Sequence, residues 1–135
     1  YKYSTLMPGV IETLNFFYER KILMGICTNK RQFVTEKLIE EMNLSKFFTT
    51  IVGARDNIPL KPKPNMLILT MEGFNTTKKM FYMVGDTSND IDAAKAANIK
   101  SIAVAGGYTD KDVNNLGATH TLKNMKDIIK LLGLS

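Results

Sequence analysis

Apolar positions recur along the chain with two periods. Between residues 10 and 18 they fall at Val10, Leu14, Phe17 and Tyr18, with Glu12, Asn15 and Glu19 off that face. That spacing predicts an amphipathic helix, opened here by Pro8-Gly9. The run Ile22 to Thr28 is apolar on both alternating faces, the pattern of a strand covered on both sides of a parallel sheet. Arg31 to Met42 returns to helical spacing, with Val34, Leu38, Ile39 and Met42 inward. Thr50-Ile51-Val52 predicts a second strand. Pro59, Pro62 and Pro64 make the stretch 54–64 a loop.

The same alternation continues. Asn65 to Gly73 predicts a short helix closed by its glycine. Met80 to Val84 predicts a third strand. Asn89 to Asn98 predicts a helix whose Ala93, Ala94, Ala96 and Ala97 allow close approach to a sheet. Ser101 to Ala105 predicts a fourth strand, followed by a Gly106-Gly107 loop and helical turns over Lys111 to Leu116. Thr119-His120-Thr121 fits an edge strand. Met125, Ile128, Ile129 and Leu132 predict a last helix, ended by Gly133. Helix and strand in alternation imply an α/β fold: a parallel sheet with helices on both faces. Ligands in such folds sit beyond the carboxyl ends of the strands.

Composition narrows the picture. A chain of 135 residues, 44% hydrophobic, suits one domain over 1–135. No stretch approaches the roughly 18–20 apolar residues of a membrane span. Tyr1-Lys2-Tyr3-Ser4 does not read as an export signal, and the lone Cys27 has no internal disulfide partner, so a cytoplasmic location is expected. Cys27 is expected to face a helix layer as a structural residue. The net charge is +5, but the lysines are scattered and no aromatic strip accompanies them, so neither nucleic acid nor membrane is expected as a partner.

Three strand ends carry candidate chemistry. Thr28 and Asn29 close the first strand; a hydroxyl and free amides before a helix can hold a phosphate oxygen, or simply cap the helix. The loop after the second strand holds Lys61-Pro62-Lys63-Pro64, in which prolines restrict the backbone around a lysine able to neutralise an anion. The third strand ends Val84-Gly85-Asp86-Thr87-Ser88-Asn89-Asp90. Asp86 at the strand tip and Asp90 at the following helix start suit Mg²⁺, a hard cation that takes oxygen ligands.

A threonine, then a KPxP lysine, then GDxxxD, each after a successive strand, resembles the haloacid dehalogenase superfamily. The finer likeness is to its phosphoglycolate phosphatase-like members. Met7-Pro8-Gly9-Val10, Ile26 to Lys30, Lys61 to Pro64 and Met83 to Ala97 carry it, with Gly106-Gly107-Tyr108 and Gly117-Ala118 in the tail. The resemblance implies a Rossmannoid core and a Mg²⁺-dependent phosphatase acting on small phosphorylated substrates through an aspartyl-phosphate. It implies that Thr28, helped by the Asn29 amide, binds the phosphoryl group, and that Lys61 balances charge on phosphate and nucleophile. It implies Asp86 and Asp90 for the metal.

The sequence departs from the family at one point. The nucleophile of these enzymes is the first aspartate of a DxDGT motif on a central strand, whereas the earliest aspartate here is Asp56. The expectation is therefore the C-terminal part of a longer phosphatase, without its nucleophile segment and helical cap, inactive by itself. The missing strand belongs between those at Ile22–Thr28 and Met80–Val84. That gap calls for a strand from the missing N-terminal segment or from a second chain, or for direct pairing of the two flanking strands. The alternatives are a catalytically inactive domain of the same fold serving binding or assembly, and a mutase or nucleotidase of the superfamily. A response-regulator receiver has similar residue types, but in an order this chain does not follow.

Overall fold

The computed structural model describes residues 9–74, 81–105 and 115–133. The Gly106-Gly107 loop and most of the helical turns expected over 111–116 lie outside them. Helix α1 spans Val10–Glu19, strand β1 Gly25–Arg31, helix α2 Gln32–Glu41, and strand β2 Thr50–Ala54 after a 3₁₀ turn at Ser45–Phe47. Helix α3 is Asn65–Glu72, strand β3 Tyr82–Gly85, helix α4 Ser88–Ala96 and strand β4 Lys100–Val104. Strand β5, His120–Leu122, and helix α5, Asp127–Leu131, complete the order.

Among the described residues all strand pairs are parallel, and they form two groups. One is β1-β2; the other is β3-β4-β5, with β5 at an edge as its short Thr/His pattern predicts. Among the described residues β1 and β3 do not pair with each other, so direct closure of the gap does not occur.

Helix layers join the two groups. Leu67 and Met71 of α3 pack with Ala93, Ala94 and Ala97 from the α4 region, with Met83 of β3 and Cys27 of β1 against them. The small alanines let the helix come close, as their run predicts. On the opposite face, Phe17 of α1 and Ile128 of α5 pack with Ile102 and Val104 of β4. Ala103, between those two residues, instead meets Ile91 of α4. Side chains alternate across a strand, so β4 is covered on both faces, which explains the apolar run Ile102-Ala103-Val104.

The first strand differs from expectation by three residues. It begins at Gly25, not Ile22, because the end of α1 uses the intervening residues. Lys21 adopts φ 59°, and the Ile22 N–H reaches back to Phe17 O at 2.9 Å. That is a left-handed helix cap closed by a hydrophobic contact. Asn43 and Asn98 end α2 and α4 in the same way, with Leu44 N–H on Ile39 O and Ile99 N–H on Ala94 O. In α2 the buried stripe is Thr35 and Ile39, and Val34 is exposed rather than inward. Tyr18 is likewise exposed at 46%, lying edge-on to Phe47.

Candidate active site

β1, the loop after β2 and the helix after β3 bring Asn29, Lys61 and Asp90 together, whereas, among the described residues, no hydrogen bond or ion pair ties the Thr28 or Asp86 side chain to them. β1 runs on through Thr28 and Asn29 to Arg31. Neither Thr28 nor Asn29 caps α2; the cap position is Arg31, with no side-chain hydrogen bond. Thr28 Oγ1 accepts from the Lys30 N–H at 3.2 Å. Asn29 reaches into the proline loop instead. Its Nδ2 donates to Lys61 O at 3.0 Å, and its Oδ1 accepts from the Lys61 N–H at 2.9 Å.

Lys61 is 8% exposed, unusual for a lysine, and its ammonium is compensated. It donates to Cys27 O at 2.8 Å and to Asp90 Oδ1 at 2.5 Å. An ammonium has three protons; these contacts use two. Lys63, to which the sequence assigns no role, is exposed.

Asp86 follows β3 directly and is half-buried. Asp90 stands in the first turn of α4, 9% exposed. Thr87 is the cap of that helix: its hydroxyl accepts from the Asp90 N–H at 3.4 Å and donates to Asp90 Oδ2 at 3.1 Å. Asp90 therefore has one oxygen on Lys61 and the other on Thr87. The carboxylate also gains from the positive end of the helix dipole. Gly85 has a reason the sequence does not reveal. A Cβ there would collide with the Asp90 carboxylate, so glycine makes room for the acid against the strand.

Among the described residues no three His, Cys, Asp or Glu side chains converge as a metal-holding group. Magnesium is commonly held by one or two carboxylates, with waters and substrate phosphate completing its shell. Asp86 and Asp90 fit that requirement in number and in chemistry, with Asp90 shared with Lys61.

Cys27 packs with the α3–α4 layer as expected. Burial pushes its thiol above the ordinary value of 9.0, outweighing the lowering by the Thr70 hydrogen bond and by the Lys61 charge. Its carbonyl, as an acceptor for Lys61, is a contact no sequence signal announces. Gln32 is a second residue the sequence reading passes over. Its Nε2 donates to Ile51 O at 2.9 Å, while its Oε1 accepts from the Gly53 N–H at 2.6 Å and from the Arg55 guanidinium at 3.2 Å. Thr87 is a third, although Thr87-Ser88-Asn89-Asp90 carries the spacing of a capping box.

A buried lysine from the β2 loop, a hydroxyl on β1 and an acidic pair after β3 are set in a parallel α/β fold. Residues 2–104 match the model of the haloacid dehalogenase-like hydrolases, and the chain belongs to that family. It is 31% identical over 130 residues to the phosphoglycolate phosphatase of Escherichia coli, and 32% identical to that of Salmonella typhi. Each alignment covers 96% of this chain and 52% of the relative, so the chain spans about half the length of the curated relatives it matches. Among solved structures, a predicted phosphoglycolate phosphatase from Haemophilus somnus superposes with a TM-score of 0.87 at 23% identity, covering 95% of this chain and 57% of that one. A HAD-superfamily hydrolase from Ehrlichia chaffeensis gives 0.82 at 26%, covering 96% and 59%. No helix among the described residues is long and apolar enough to cross a membrane.

Proposed function

We propose that the chain is the phosphate- and metal-binding part of a magnesium-dependent phosphatase for small phosphate monoesters of the phosphoglycolate kind. The observation that carries this reading is Lys61: an ammonium held on Cys27 O and Asp90, with one proton left for a phosphoryl oxygen. Thr28 Oγ1, within β1, would supply a second phosphate contact. Asp86, with Asp90, would hold Mg²⁺, which draws negative charge from the phosphoryl oxygens when bound. Lys61 also holds the Asp90 carboxylate in place beside that site.

The nucleophile would be an aspartate from a DxDGT segment, a sequence absent from these 135 residues. Its carboxylate attacks phosphorus, the alcohol leaves, and water then hydrolyses the aspartyl-phosphate. The segment would arrive as a strand between β1 and β3, which do not pair with each other. Lys61 and Thr28 stabilise the charge on the transferring group. A cytoplasmic enzyme, with no nucleic-acid or membrane partner, is part of the same reading.

The test supplies the chain with a polypeptide carrying the DxDGT strand and cap of a relative. Mg²⁺-dependent hydrolysis of p-nitrophenyl phosphate should appear, and should collapse in Lys61→Ala and in Asp86→Ala. Robust hydrolysis by the 135-residue chain alone would overturn the mechanism.

A further inference from the structure

From the paired hydrogen bonds between its carboxamide and the Lys61 backbone, we infer that the Asn29 side chain is a positioning group that sets the Lys61 ammonium, not itself a phosphate ligand. The inference rests on the lysine role proposed above, and its readout needs no catalysis.

Two bonds of opposite direction join one side chain to one residue. Nδ2 donates to the Lys61 carbonyl at 3.0 Å, and Oδ1 accepts from the Lys61 N–H at 2.9 Å. A planar group bonded at both of its polar atoms fixes orientation as well as distance. Asn29 and Lys61 are 32 residues apart, so the latch joins β1 to the far end of the β2 loop. Two residues earlier on the same strand, Cys27 O accepts from the Lys61 ammonium at 2.8 Å. β1 therefore grips the lysine at both ends, its backbone through Asn29 and its tip through Cys27. Held so, the ammonium meets Asp90 Oδ1 at 2.5 Å across the division between the two strand groups.

The chemistry selects asparagine. Aspartate keeps the acceptor for the Lys61 N–H but sets a carboxylate oxygen against the Lys61 carbonyl. Alanine removes both bonds. A lysine side chain has several rotatable bonds, and losing the latch frees the backbone from which they start. The ammonium then samples positions away from Asp90.

Heteronuclear NMR of the lysine ammonium groups in the full 135-residue chain tests this. The Lys61 signal is identified by its loss in Lys61→Met. In the wild type its protons should exchange slowly with water. In Asn29→Ala, which loses both bonds, they should exchange at least about tenfold faster, while the amide spectrum of β4 is retained. Asn29→Asp should fall between the two. The Asn29 carboxamide protons should be protected in the wild type and in Lys61→Met alike, because the latch holds backbone; this reading stands even if Asn29→Ala does not fold. An unchanged Lys61 signal in a folded Asn29→Ala, or unprotected carboxamide protons in the wild type, would overturn the inference. So would a variant in which the Lys61 signal stays but the Thr28 amide no longer responds to added inorganic phosphate, for Asn29 would then be a ligand.

Discussion

The Lys61 ammonium lies 2.5 Å from Asp90 Oδ1, with both side chains largely withdrawn from solvent, at 6% and 13% exposure. The lysine comes from the loop after β2 and the aspartate from the helix after β3. The ion pair therefore links the two strand groups through side chains where, among the described residues, no backbone ladder does. Removing one partner leaves a buried charge without compensation. Lys61→Met should destabilise the chain by about 3–5 kcal/mol. Urea unfolding measures the loss, and adding Asp90→Leu to that variant should recover part of it.

Gly85→Ala introduces a Cβ where the Asp90 carboxylate stands. Overpacking of this kind costs about 1–3 kcal/mol. The change should also displace Asp90 from Lys61. A midpoint shift in urea, together with a moved Lys61 ammonium signal, is the expected result; an unchanged midpoint would remove Gly85 from the account of the site.

Gln32 spans the β2 backbone at Ile51 O and the Gly53 N–H. Gln32→Ala leaves both backbone groups without that partner, at roughly 1–3 kcal/mol for buried groups. Hydrogen exchange at the Gly53 amide should accelerate far more than at Ile102 in β4, which Gln32 does not touch.

Magnesium binding by Asp86 and Asp90 is open to calorimetry on the wild type and on Asp86→Asn. With two carboxylates, one of them shared with an ammonium, affinity should be weak, and Asp86→Asn should lower it further. Equal affinity in the two proteins would exclude Asp86 from the metal site.

Cys27 gives a pH dependence. Its thiol is raised by burial in the folded chain, so the folded state holds that proton more tightly than the unfolded one. The stabilisation is complete below the ordinary value of 9.0 and is lost as pH rises through the higher folded value. Stability measured upward from that point should fall more steeply in the wild type than in Cys27→Ala. Thiol reagents should also modify the folded chain more slowly than the unfolded one.

The sequence by itself determined the alternation of helices and strands, because burial on one face or two leaves a period that side-chain type records directly. It also singled out the candidate groups: a hydroxyl at Thr28, an ammonium at Lys61 and acids at Asp86 and Asp90 are unusual neighbours for apolar runs. Boundaries were less legible. Ile22 belongs to the end of α1 because Lys21 takes a left-handed conformation that nothing in its residue type announces. Partnership was decided only by the tertiary structure. Asn29 lies 32 residues from Lys61, and Lys61 lies 29 from Asp90, and no local pattern records a hydrogen bond across such distances. The need for Gly85 was equally hidden: its cause is the Asp90 carboxylate that packs against it when the strand and helix are in place. Residue type and local spacing reveal which groups are available, whereas their pairing depends on how the loops carry them across the sheet.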